Sequence, residues 1–374
     1  MRHMKLFKTY TAAMACLFAL AGCGSESEGD TDPKGEFDRQ AMLANYADNL
    51  VVPGYEAFAT KAKAMEAAVA AFTGEPSAAT LAAARAAYQQ AYMAWQGVSI
   101  YEFGPADEQM LRNNLNIYPT AASKIESNIA SGSYDLQAAA SLDVKGFPAL
   151  DYLLYGAPSQ EGEVALYTTD AGAANRKQYL QDVASLVSHR AEAVYNGWTS
   201  GNYADTFEQA AGTAVGSAIG NLVNQLNYDI DLTKRAKVGF PSGRFTAGSA
   251  FPEKVEAYYS GTSLKLLKQA IRAEKAVFMG QSASGTNGPG LDDYLDHVEA
   301  PYNGGLLSEA IEAQFDAALA AAEAVQGPLS EAVNTQPEAV TKVYDAMQKL
   351  IVLTKTDMPA ALGVTITYTD NDGD

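Results

Sequence analysis

The sequence predicts an all-α fold built from two helical-bundle halves. Three observations carry that reading. Apolar residues recur at spacings of three and four through nearly every long segment, no stretch alternates with period two for long, and short Gly/Pro/Ser breaks separate the segments. The segments are rich in alanine, which favours helix and lets neighbouring helices approach closely in antiparallel bundles.

Taken in order, residues 1–22 read as a lipoprotein signal peptide. Arg2, Lys5 and Lys8 form a basic start, "TAAMACLFALAG" is the apolar run, and Ala21-Gly22 precede Cys23. The run is too short to span a membrane as a permanent helix. The small residues before Cys23 predict lipidation there, which holds a chain on a bilayer without a transmembrane segment. Cys16 leaves with the signal and Cys23 carries lipid, so the mature chain has no thiol for a disulfide, a metal or a nucleophile. Residues 23–37 are polar and acidic and read as a flexible tether.

Helical periodicity then runs through 38–72, 77–102, 171–198, 203–232, 253–279, 305–326 and 337–355. In the second of these Leu81, Ala84, Tyr88, Ala91, Trp95 and Val98 form one stripe. A boundary near residue 165 gives a first bundle over 38–165 and a second over 166–368. The last residues, 369–374, form an acidic tail in which Asp370, Asp372 and Asp374 alternate like the start of a calcium loop. The glutamate that such a loop needs at its twelfth position is missing, because the chain stops there.

The formal net charge of −18 becomes −21 once the three cations of the leader are removed. Nucleic acid and anionic lipid surfaces are poor partners for such a chain, whereas cations, basic peptides and neutral ligands are easier to accommodate. Catalytic motifs are absent: there is no H-E-x-x-H, no G-x-S-x-G, no P-loop and no dinucleotide fingerprint. His189 and Glu192 are three apart on a helix and can face one metal, but further ligands are needed.

Three stretches concentrate polar and aromatic side chains at breaks. The first places Trp95, Glu102, Asn116 and Tyr118 around "FGPAD". The second is "PEKVEAYYSGTS", with Glu256, Tyr259, Ser260 and Ser263. The third is "GFPALDYLLYG", where Gly146 supplies a turn, Pro148 suits a helix's first turn, and Asp151 is expected inside that turn under the helix dipole. Loops on a rigid scaffold carry function more often than core positions do, so these residues are the ligand-binding candidates.

Together with "AYMAWQ", "FGPA" and "LNIYPT", these stretches resemble the imelysin family, specifically its imelysin-like lipoproteins, from about residue 40 to 360. The resemblance implies two helical halves related by distant duplication, placement in the periplasm or on the outer membrane, and an association with iron uptake. It also implies a G-x-H-x-x-E signature, and here the sequence departs: Gly146 is kept, but Pro148 stands for the histidine and Asp151 for the glutamate. Proline has no lone pair for a metal. No catalytic residue is therefore assigned, and a bound iron or other divalent metal ion is left open. The expected function is a lipid-anchored binding or accessory protein of the bacterial cell envelope, working with a small ligand, a metal or an outer-membrane uptake protein. A metallopeptidase and a surface scaffold for a partner protein are the alternatives.

Overall fold

A computed structural model describes residues 35–368. The leader, Cys23, most of the tether and the tail with Asp370, Asp372 and Asp374 lie outside the described residues. Eight helices frame the interior: α1 (Val52–Gly74), α2 (Ala78–Gln96), α3 (Gly146–Tyr155), α4 (Ala173–Trp198), α5 (Ala218–Leu232), α6 (Ser263–Phe278), α7 (Leu307–Ala324) and α8 (Pro337–Val352). Among the described residues the only strands are Pro301–Tyr302 and Gly305–Leu306, a two-stranded antiparallel hairpin. The all-α expectation is met. No described helix is long and apolar enough to cross a membrane.

Local chemistry sets the ends. Ser77 Oγ accepts the N–H of Thr80 at 3.2 Å while Thr80 Oγ1 accepts the N–H of Ser77 at 3.0 Å, a reciprocal cap that starts α2. The helix stops at Gln96, before Gly97, rather than running on to 102. Ser217 caps α5 through the N–H of Gly220 at 3.1 Å. The helix expected over 203–232 is consequently two pieces, Tyr203–Gln209 and α5, parted by the glycine-containing stretch 210–217. The segment 253–262 is likewise not helical beyond a short 3₁₀ turn at Pro252–Lys254: Val255 is extended, Ala257 sits at φ +50, and α6 begins only at Ser263.

Packing follows the apolar stripes. α1 lies against α2 and α4, and α3 packs on α2 and α4. α7 lies against α6 and α8, and α5 packs on α6 and α8. Helix α4 therefore joins the earlier helices, and the change of partners falls after Trp198, while the described residues from Phe37 onward belong to one compact unit. Contacts between α2 and α6 tie the two groups together. Phe147, Leu150, Leu153 and Leu154 of α3 are all fully buried, each contributing about 1.5–3 kcal/mol through removal from water. This short helix is thus fixed in place among α1, α2 and α4, which matters because it carries Asp151.

Candidate functional site

Gly146 opens α3 at φ +72, and a Cβ there would lie 2.3 Å from the carbonyl oxygen of Leu115. Only glycine combines that backbone conformation with so close an approach. Pro148 is the third helical residue, as its fixed φ permits. Asp151 is the sixth, one turn later than expected, so the helix terminus is not what holds its charge.

Its partners come from elsewhere. Asp151, 1 % exposed, accepts the hydroxyl of Tyr88 at 3.0 Å, the N–H of Tyr259 at 2.7 Å and the N–H of Ser260 at 3.2 Å. Burial pushes its carboxyl up to about 6, against the opposing pull of those hydrogen bonds. The carboxylate thus pins the turn that follows Glu256 onto α3. In that turn Ala257 is left-handed, a conformation costing a non-glycine residue roughly 1–2 kcal/mol. The bonds to Tyr259 and Ser260 hold the strained turn closed.

The turn delivers Glu256 into a second cluster. Glu256, also 1 % exposed, has Oε1 within reach of Asn116 Nδ2 (2.8 Å), Gln96 Nε2 (3.1 Å) and Tyr92 Oη (3.1 Å). Its Oε2 receives Lys237 Nζ at 2.5 Å, and Lys237 also donates to Gln96 Oε1 at 2.8 Å. Lys237 reaches inward from a π-helical turn, Thr233–Gly239, which extends α5 and re-aims its side chains. Beyond it Asp229 accepts from Ser99 Oγ and Arg112 Nη2, both at 3.3 Å. Burial raises the Asp229 carboxyl even with Arg112 and Lys237 nearby. Glu274 completes the seam: it accepts from Thr233 Oγ1 at 2.6 Å, and burial and then Asp229 push it up to about 8.

Two cavities flank this seam, with Tyr118 lining both. One, about 180 Å³, is bordered by Trp95, Gln96, Asn116, Arg112, Asp229 and Lys237 among others. The other, about 260 Å³, is bordered by Pro148, Asp151, Glu253, Ala257 and Tyr259 among others. The indole Nε1 of Trp95, 1 % exposed, makes no hydrogen bond among the described residues, nor does Arg112 Nε. Leaving a buried donor unmatched costs about 1–3 kcal/mol.

Of the residues expected to form a site, Trp95, Asn116, Tyr118, Pro148, Asp151, Glu256 and Tyr259 are gathered at this seam, with Ser260 contributing its backbone. Glu102 stands one step away, accepting the N–H of Arg112 at 2.9 and 3.1 Å and so fixing where that arginine emerges. Ser263 is buried at the start of α6, and its hydroxyl makes no hydrogen bond among the described residues. His189 and Glu192 are exposed on α4 and border two different surface hollows. Sequence reasoning missed Tyr92, Gln96, Arg112, Asp229, Lys237 and Glu274. For two of them a signal existed: Asp229 stands three after Leu226, and Glu274 stands three after Ile271, acids on core-facing stripes.

A metal does not fit the signature position. Pro148 offers no donor, the oxygens of Asp151 are taken by two N–H groups and a hydroxyl, and no three His, Cys, Asp or Glu among the described residues are placed to hold an ion.

The family model for imelysin matches residues 51–356. The chain belongs to the imelysin family. This imelysin-family chain is 24 % identical over 336 residues to the iron-regulated protein A of Synechococcus elongatus, covering 84 % of its own length and 87 % of the relative's. Two crystal structures share its fold. A putative iron-regulated protein A precursor from Parabacteroides distasonis superposes with a TM-score of 0.71 at 20 % identity, covering 87 % of this chain and 95 % of that one. An imelysin-like protein from Psychrobacter arcticum gives 0.68 at 18 %, with 88 % and 97 % covered.

Proposed function

We propose that this imelysin-family chain is a lipid-anchored accessory protein of the bacterial envelope that holds a ligand for iron uptake and has no hydrolytic chemistry of its own. The observation that carries the reading is the seam itself. Charged and polar groups from α2, the 112–118 segment, α3, α5 and the 256–260 turn are buried together beside two cavities, and every buried carboxylate in it is already bonded to protein donors. Such a preorganised, polar, concave site suits holding. It does not suit attack, which requires a nucleophile beside a base or a metal-bound water. The link to iron rests on the name of the Synechococcus relative and on family membership.

Anchoring rests on Cys23 and its preceding residues, with the outer membrane as the destination and an uptake protein there as the natural partner. The test is genetic and biochemical. Deleting the gene is expected to lower cellular iron accumulation under iron limitation, and Cys23→Ser is expected to move the protein from the membrane to the soluble fraction. Unchanged iron accumulation in the deletion strain contradicts the reading.

A further inference from the structure

We infer that the cavity bordered by Pro148, Glu253 and Tyr258 takes an organic cation, an ammonium or guanidinium group carried by a small molecule or by a basic side chain of a partner. The assignment rests on the ligand-holding reading and narrows it. Tyr118, Tyr258 and Tyr259 border this cavity together with the carboxylates of Asp151 and Glu253, and none of the described residues on its border is Lys, Arg or His. A cleft walled by one sign of charge gathers the opposite sign, and aromatic rings attract a cation through their electron-rich faces. Glu253 is exposed, and its side chain makes no ion pair or hydrogen bond among the described residues. The neighbouring Lys254 is engaged elsewhere, its Nζ lying over the Phe251 ring 4.3 Å from the centroid. Tyr258 is 40 % exposed and meets Tyr259 edge to face at 5.2 Å, so a solvent-reached aromatic pair shares the border with a free carboxylate.

The rivals fit less well. An anion would face two carboxylates with no cation on the border, and the N–H groups of Tyr259 and Ser260 are already spent on Asp151. A bare metal ion needs several free oxygens, whereas Asp151 already accepts from Tyr88, Tyr259 and Ser260, which leaves Glu253 as the free carboxylate. Asp151 therefore acts through space: its carboxyl, pushed up to about 6, is still mostly ionised at neutral pH. A neutral ligand leaves both negative charges uncompensated, so charge is the property that a test has to isolate. A single water needs roughly 10–15 Å³ of such space, and the 260 Å³ of this cavity admits a headgroup of several heavy atoms.

The test is calorimetric titration of the purified full-length protein with choline, butylamine, a lysine peptide and an arginine peptide, and with acetate and the uncharged carbon isostere of choline alongside. At least one cation is expected to bind saturably at one site per chain, and choline, if it is that cation, to bind about fivefold or more tighter than its isostere. Binding of the peptides alone assigns the group to a partner polypeptide, and binding of the free amines assigns it to a small molecule. Glu253→Gln, which removes the charge and keeps the shape, is expected to weaken binding about threefold or more. Tyr258→Leu is expected to weaken it as well, and Glu75→Gln, which removes an exposed charge away from this border, to leave it unchanged. Both Glu253 and Tyr258 are exposed, so the variants are expected to unfold at the temperature of the wild type. No cation binding, binding that Glu253→Gln leaves unchanged, or equal or tighter binding of the isostere or acetate overturns the assignment. Binding of the isostere would do so while leaving the ligand-holding reading in place. Unchanged iron accumulation in the deletion strain would remove the iron reading and leave the calorimetric result standing.

Discussion

Asp151 and Tyr259 are 108 residues apart in sequence, yet the carboxylate of the first accepts the backbone N–H of the second at 2.7 Å. That bond, with its neighbours at Ser260 and Tyr88, joins α3 to the turn that aims Glu256. Asp151 is therefore a positioning residue: it shapes the site through another segment.

Removing the carboxylate leaves two backbone N–H groups and a tyrosine hydroxyl without their acceptor. Asp151→Ala is expected to lower unfolding stability by about 3 kcal/mol or more. Asp151→Asn, which keeps one acceptor oxygen, is expected to fall between it and the wild type. Urea denaturation at pH 7 checks the order, and a loss below about 1 kcal/mol for the alanine variant contradicts the role given to Asp151.

The Lys237–Glu256 pair is buried and 2.5 Å apart, so breaking it strands one charge. Lys237→Met alone is expected to cost about 3–5 kcal/mol. Adding Glu256→Gln to it is expected to recover part of that loss, because the stranded carboxylate is then neutral. A double-mutant cycle measures the coupling, and purely additive losses would show that the two side chains do not act as a pair.

Stability is expected to fall as pH rises from about 4 to 8. Asp151 at about 6 and Glu274 at about 8 both sit above their ordinary values of 3.8 and 4.5. The folded chain therefore keeps protons that the unfolded chain has released. Their contribution is complete below the unfolded values and is lost as pH climbs through 6 for Asp151 and through 8 for Glu274. Glu274 faces Asp229 and Lys237 across the packing of α5, its π-helical extension and α6. Glu274→Gln is expected to flatten the upper part of the profile and to gain on the order of 2–4 kcal/mol at pH 8. An unchanged slope between pH 6 and 8 would mean that Glu274 is not the titrating group.

Gly146→Ala places a side chain where φ is +72 and a carbonyl oxygen would stand 2.3 Å away. A loss of more than about 2 kcal/mol is expected, well above the cost of a merely unfavourable glycine replacement. Thermal unfolding reads it directly, and a neutral outcome would show that the 115–146 approach relaxes easily.

Much of the helical framework was legible because amphipathic periodicity survives wherever a helix has one dry face. Trp95 and Tyr88 fell on a stripe and are buried on α2. What periodicity could not reveal was the 253–262 segment. Its apolar spacing imitates a helix, but its backbone is bent by a carboxylate more than a hundred residues upstream. The site was half legible for the same reason. Asn116, Tyr118 and Asp151 stood out at breaks, whereas Asp229 lies inside regular-looking helix and Lys237 lies past the end expected for that helix, on the π-helical turn that extends it, and both meet their partners through the pairing of distant segments.

The most direct test is a crystal structure of the protein grown with excess iron and zinc, with anomalous difference maps recorded at both edges. The account predicts no anomalous peak within coordination distance of Asp151, whose oxygens keep the N–H groups of Tyr259 and Ser260. A fully occupied cation bound to Asp151 beside Pro148, with the 257–260 turn released, would contradict it.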